Sequence, residues 1–273
     1  TKLSVILWVV FFMSSLPIGF FDSGIGGLTV WRKVKDLLPY ENTLYLSDSK
    51  NCPYGYKSVS EINKICQKNV QFLLNKKCKL IVVACNTATT NSISNLRKKF
   101  KVPIIGIEPA IKPAAIKSKA KIIGILATKG TLNSDLFFET SSDNLKKIKL
   151  VRNDCHGLVE LIEKRQSNEK DLNELLKKYL DPMVNEGIDQ LVLGCTHYLI
   201  IKKNIQRILN KKIDVIDCTE SVAIQTKKVL QTKNLLNDNK IEKTKYLFYN
   251  NGGDDFKINQ VLKNKYEIFK FDI

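Results

Sequence analysis

Runs of apolar, β-branched residues of strand length alternate with segments of helical periodicity along most of this chain. The runs are IGFF (18–21), NTLYLSD (42–48), KLIVVAC (79–85), PIIGI (103–107), KIIGILAT (121–128), KIKLVRN (147–153), QLVLGC (190–195) and DVIDC (214–218). Most are apolar at nearly every position instead of every second one, as expected of strands covered on both faces. Between them, SVSEINKICQKNVQFLLNK places Val59, Ile62, Ile65, Cys66, Val70, Leu73 and Leu74 at helical spacing, with Ser58 or Ser60 available as a cap. Leu158 to Met183 also reads as mostly helical, with Pro182 near its end. Parallel strands need crossover helices, so the expected architecture is α/β, doubly wound, with mostly parallel sheets.

The chain also repeats itself weakly. PIGFFDSGIGG (17–27) pairs with IIGILATKGT (122–131), and VVACNT (82–87) pairs with VLGCTH (192–197), at offsets of 105 and 110 positions. Two related α/β lobes follow, with residues 17–109 and 218–273 in the first and 110–217 in the second. Open α/β sheets bind ligands beyond the carboxyl ends of their strands. Facing lobes would therefore share one cleft, and each would bring one cysteine to it, Cys85 or Cys195. Residues 1–16 are an N-terminal extension. Its first 12 residues are expected to lie upstream of the natural start at Met13, with a signal-peptide core as the alternative.

Composition removes some function classes. The seven cysteines are odd in number and contain no C-x-x-C pair, and only two histidines accompany them, which disfavours a zinc cluster or a secreted disulfide framework. A reducing cytoplasm suits them. The net charge of +17 invites a nucleic-acid reading, but 39 of the 44 basic residues are lysine and five are arginine. Arginine carries the planar fork that reads phosphates and bases, and these lysines spread over helical faces without interleaved aromatics. They read as a solvated surface, so neither a nucleic acid nor a membrane is an expected partner.

A cysteine where a strand gives way to a helix lies near exposed N–H groups and the positive end of the helix dipole. Both favour the thiolate. Two such thiols across a cleft can invert a stereocentre: one takes a proton from carbon while the other returns one on the opposite face. The neighbours suit a small anionic substrate. Asp22 can partner a thiol, Ser23 can donate, and the glycines of DSGIGG let backbone N–H groups face a carboxylate. The spacing is not that of a dinucleotide-binding turn. Tyr54 and Gly55 occupy a turn in CPYGY; Asn86, Thr87, Thr128, Thr131 and Thr196 are neutral donors. His197, two residues past Cys195, can serve it as acid–base partner. Each residue also has a plain reading: Asp22 as a helix cap, the glycines as a tight turn, a histidine as packing. Cys52, Cys66, Cys78, Cys155 and Cys218 are read as structural, Cys155 ambiguously.

IGFFDSGIGGLTV, DSKNCPYGYKS, VVACNTATT, GIEPA, IGILATKGT and LGCTHY, in that order and at suitable spacing, resemble the glutamate racemase family from about Pro17 to Ser221. The resemblance implies a two-lobed fold with the active site between lobes. It implies racemisation of glutamate without cofactor or metal, supplying D-glutamate for peptidoglycan. It implies Cys85 as the base on the D-face, assisted by Asp22, and Cys195 on the L-face, assisted by His197. The implied substrate contacts are Asp22, Ser23, Tyr54, Gly55, Asn86, Thr87, Thr196 and His197. Whether a homodimer forms is left open. Leu199 stands where the family commonly has proline, DSK replaces a more usual Asp-Thr near residue 48, and CH at 155–156 replaces Cys-Pro. Glu163, where relatives often carry an acid, receives no role, and the lysine-rich tail from Lys227 carries little family signal.

Three rivals remain. A sister racemase acting on aspartate or hydantoins would use the same two thiols. A nucleic-acid-binding protein would show steeply salt-dependent binding but leaves both cysteine settings without a reason. A Cys–His hydrolase leaves the second cysteine unused. Pyridoxal chemistry needs a Schiff-base lysine, and none stands out.

Overall fold

In the computed structural model, which describes residues 13–142, 148–164, 168–210, 212–241 and 243–271, the alternation resolves into two parallel sheets. The apolar stretch before Met13 lies outside the described residues, which begin at that methionine. The first sheet has six strands: β1 (Ile18–Asp22), β2 (Thr43–Ser47), β3 (Leu80–Val83), β4 (Ile104–Gly106), β9 (Tyr246–Asn250) and β10 (Ile268–Lys270), in the order β10-β9-β2-β1-β3-β4. The second has four: β5 (Ile122–Ala127), β6 (Lys149–Asn153), β7 (Gln190–Gly194) and β8 (Asp214–Ile216), in the order β6-β5-β7-β8. Every pairing is parallel, and β1, β2, β3 and β7 are buried along their whole length, which accounts for the near-continuous apolar runs.

The repeat has a topological meaning. β1 pairs with β2 on one side and β3 on the other; β5 does the same with β6 and β7. Each sheet therefore has a switch point, between β1 and β3 and between β5 and β7, where a crevice opens beyond the strand ends. Asp22 ends β1 and Cys85 follows β3; Thr128 follows β5 and Cys195 follows β7. The expected fold class holds.

Helix Val59–Asn75 begins at Ser58, whose side chain accepts from the Glu61 N–H while Glu61 reaches back to the Ser58 N–H, a reciprocal cap. The helical stretch expected from Leu158 to Met183 is two helices, Leu158–Glu163 and Glu169–Asn185. That break leaves Glu163 at a helix end. The tail supplies β9 and β10, which the sequence did not announce. Trp31, on helix Leu28–Leu37, recruits it: the indole N–H donates to Thr43 Oγ1 at 2.8 Å, and the ring meets Phe248 edge-on at 5.0 Å and Tyr246 at 5.7 Å.

The pair of Lys79 and Glu41 is buried. Lys79 Nζ donates to Glu41 Oε2 at 2.5 Å and to the Ser14 carbonyl, and Glu41 Oε1 accepts the Asn237 N–H at 2.8 Å. The two charged side chains are 0% and 1% exposed. Removing one partner leaves an uncompensated buried charge, which costs about 3–5 kcal/mol. Lys79→Met is expected to destabilise by about that much in urea unfolding, and the double change with Glu41→Gln to recover part of it. Equal losses in the single and double variants would refute this account.

Candidate active site

Asp22 is wholly buried where β1 ends. Its Oδ1 accepts the Gly24 N–H at 2.8 Å and the Ser23 hydroxyl at 3.4 Å, and its Oδ2 accepts the Thr196 hydroxyl of the other lobe at 2.9 Å. Burial pushes its pKa from 3.8 up to about 6, against the lowering influence of His197 and the two donors, Gly24 and Thr196.

Cys85 caps helix Asn86–Lys99: its Sγ accepts from the Ala88 N–H at 3.4 Å and its S–H donates to Ser23 Oγ at 3.8 Å. The position is the expected one, but the expected ease of ionisation is not found. Burial drives the Cys85 thiol well above its usual range, Asp22 pushes it further, and the Ala88 N–H offsets only part. Desolvating a thiolate beside a carboxylate outweighs one helix N-terminus. Cys195 is close enough that its charge also raises Cys85.

Cys195 precedes the short helix Thr196–Ile200, and its Sγ lies 3.9 Å from His197 Nδ1. The other ring nitrogen, Nε2, sits 2.6 Å from Glu163 Oε1. That oxygen also accepts the Ile25 N–H, from the DSGIGG loop of the opposite lobe, at 3.0 Å. Burial pulls the imidazole down, yet hydrogen bonds to its charged form and the Glu163 carboxylate win, holding His197 well above 6.5. Burial likewise raises Glu163, and the His197 hydrogen bond and charge overturn it, leaving the carboxyl below 4.5. Both directions describe an imidazolium–carboxylate pair, with Nε2 donating. Glu163, which sequence reasoning left without a role, thus orients the partner of Cys195. Its separation of 34 residues from His197 left no local signal.

Three of the neutral donors gather in one place. The hydroxyls of Thr87, Thr128 and Thr131 form a buried triangle across the lobes, with sides of 2.8, 3.3 and 3.1 Å. Asn86 is buried, its amide 3.4 Å from the Ile107 carbonyl. Gly55 meets Thr128 so closely that a Cβ would stand 2.8 Å from the threonine Cβ. Tyr54 is buried, but its hydroxyl donates to Asp48 and accepts from Asn69 at 3.0 Å, so its polar end is already engaged. At the rim, the Tyr56 hydroxyl donates to His156 Nδ1 at 3.0 Å and accepts the Gly157 N–H at 3.2 Å, a further tie between lobes.

Gly26 marks a close approach of backbone to backbone. A Cβ there would lie 2.6 Å from the His197 backbone nitrogen and 2.6 Å from Thr196 Oγ1, inside any real contact. Because backbone cannot step aside, Gly26→Ala is expected to hold the lobes apart. A misplacement of this size costs about 10²-fold in kcat/KM, and the measurement is steady-state kinetics beside a thermal melt. Full activity would show that the closed contact is not needed.

The Asp/Glu/hydantoin racemase family matches residues 27–226, and the chain belongs to that family. Within it stand glutamate racemases. That of Clostridium perfringens is 38% identical over 257 residues, covering 94% of this chain and 98% of its own. The crystal structure of a glutamate racemase isoform from Bacillus anthracis superposes with a TM-score of 0.84 at 31% identity, over 94% of this chain and 97% of that one. The Francisella tularensis glutamate racemase, solved in complex with D-glutamate, gives 0.83 at 28% identity, over 95% and 98%.

Proposed function

We propose that this chain interconverts L- and D-glutamate through two thiols, drawing no cofactor into the reaction. The observation that carries this reading is the matched pair of strand ends. One delivers Cys85 beside Ser23 and Asp22; the other delivers Cys195 beside His197 and Glu163. Starting from D-glutamate, the Cys85 thiolate takes the α-proton and becomes a thiol, while the Cys195 S–H gives its proton to the opposite face and becomes a thiolate. The product is L-glutamate, and proton exchange resets the pair. The high pKa of Cys85 supports its task, since a reluctant acid is a strong base once ionised. The His197 imidazolium stabilises a thiolate on Cys195 and can return a proton to it. Ser23, Thr196 and the threonine triangle with Thr87 supply neutral donors for the two substrate carboxylates, with Asn86, Tyr54 and Gly55 forming the adjoining wall.

We put the boundaries of the lobes at 109/110 and 217/218, a division supported by the membership of the two sheets. The metabolic role fitting this activity is supply of D-glutamate for peptidoglycan, in the cytoplasm. No helix among the described residues is long and apolar enough to cross a membrane.

The experiment is incubation of the protein with D-glutamate in deuterium oxide, following optical rotation and α-deuteration together, beside parallel runs with aspartate and a hydantoin. Loss of rotation with deuterium in the product supports the reading. Exchange of aspartate alone would move the chain to the sister branch, and exchange of none of the three by folded protein would end the catalytic reading.

A further inference from the structure

Cys52 sits beside the His197–Glu163 pair and has no part in the proton transfers above. Its Sγ is 3.8 Å from Glu163 Oε1, the oxygen that His197 Nε2 contacts at 2.6 Å, and the three atoms all lie within 4.8 Å of one another. We propose that Cys52, His197 and Glu163 form a binding site for a soft divalent cation of the zinc class, and that its occupation reversibly arrests the Cys195 half of the active site.

The donor set is the first reason. A thiolate, an imidazole and a carboxylate favour zinc over magnesium or calcium, which take oxygen ligands. Geometry is the second. Zinc bonds of about 2.3 Å to sulfur and about 2.0–2.1 Å to nitrogen and oxygen, arranged tetrahedrally, separate the ligand atoms by roughly 3.3–3.7 Å. The sulfur–oxygen distance, 3.8 Å, is nearly that already, and the nitrogen–oxygen distance needs to open from 2.6 Å by about 0.7 Å. Enclosure is the third. Gly24 packs over the pair so closely that a Cβ on it would lie 2.0 Å from Glu163 Oε1 and 3.1 Å from His197 Nε2, and its backbone shields the pair from that side.

Charge balances as well. A thiol, an imidazolium and a carboxylate carry no net charge; a dication with a thiolate, a neutral imidazole and a carboxylate carries none either. Two protons leave as the metal enters, and the buried site keeps its neutrality. The proton lost from Nε2 is the one that makes His197 an imidazolium, so Cys195 loses the partner that stabilises its thiolate. The fourth coordination position stays open to water.

Cobalt(II) titration in chelator-free buffer tests the site itself, without reliance on the racemase reading. One cobalt per chain is expected, with the visible absorption of a four-coordinate ion, a near-ultraviolet thiolate-to-cobalt band, and displacement by zinc. The Cys85→Ser/Cys195→Ser double variant should keep both features, and adding Cys52→Ser should remove the thiolate band. Loss of the band in the double variant, or its retention in Cys52→Ser alone, would put the metal on the catalytic thiols and overturn the assignment. No band in the wild-type protein would also overturn it. In kinetics, each protein is compared with its own metal-free rate: half-inhibition of Cys52→Ser should need more than about tenfold the zinc that wild type needs. Equal sensitivity overturns the proposal, and circular dichroism confirms that each variant is folded.

Discussion

Serine in place of either Cys85 or Cys195 is expected to lower kcat/KM for glutamate by about 10³-fold, within the range that a positioned proton carrier contributes. A hydroxyl is a far weaker acid than a thiol, so little of the needed alkoxide forms. Both thiols are buried at helix starts in free, unbridged form, and the change removes no core volume of consequence, so the fold should survive. The enantiomers of glutamate have equal free energies in solution, and the fall in kcat/KM must therefore be the same in both directions for each variant. The variants differ in isotope exchange. With Cys195 disabled, Cys85 can still remove and return the α-proton of D-glutamate, so deuterium should enter D-glutamate faster than inversion occurs. With Cys85 disabled, L-glutamate should be the enantiomer that exchanges. Wild-type rates in either variant, or the same enantiomer exchanging in both, would refute the two-base assignment.

The parts of this site visible in the sequence are those fixed by local chain geometry. A parallel strand buried on both faces must be apolar throughout, so the point where it stops being apolar marks a strand end. That logic puts Asp22, Cys85, Thr128 and Cys195 at strand ends, whereas the strand order that turns those ends into two switch points is not written in any one run. It fails where a side chain arrives from elsewhere. Glu163 reaches His197 because the expected long helix breaks after it, and nothing in LVELIE distinguishes this acid from Glu160. The upward shift of the Cys85 thiol escapes the sequence for a related reason. A helix-start argument counts the Ala88 N–H but not the water lost when two lobes close around a cysteine 4% exposed.

The tail shows the same limit at the level of the fold. Tyr246–Asn250 pairs with Thr43–Ser47 residue for residue, yet its strand is partly exposed and its pattern is weak. Its place is set by Trp31, more than two hundred positions earlier, through ring contacts with Tyr246 and Phe248. Periodicity carries no record of such a partner.

Asp22→Asn should make the protein more stable and much less active, and the two effects have one cause. The folded carboxyl titrates at about 6 against 3.8 in the open chain, so the folded state holds the proton more tightly. Between those values folding takes up protons, and stability is therefore greatest below 3.8 and falls as the pH rises through 6. Once Asp22 is ionised, the shift amounts to about 3 kcal/mol of destabilisation. Asparagine cannot ionise. Its carbonyl can still accept the Gly24 N–H, and Thr196 can turn to accept from its amide. At pH 8 the variant should unfold several degrees higher than wild type, the gap closing towards pH 4. Its kcat/KM should fall by about 10²-fold or more, because the carboxylate that raises the basicity of Cys85 is gone. The acid limb near pH 6 should disappear from the residual activity. Melts and rate profiles of both proteins from pH 4 to 9 decide it. An Asp22→Asn protein less stable than wild type at pH 8 would mean that the ionised carboxylate is held by its partners instead of strained by burial.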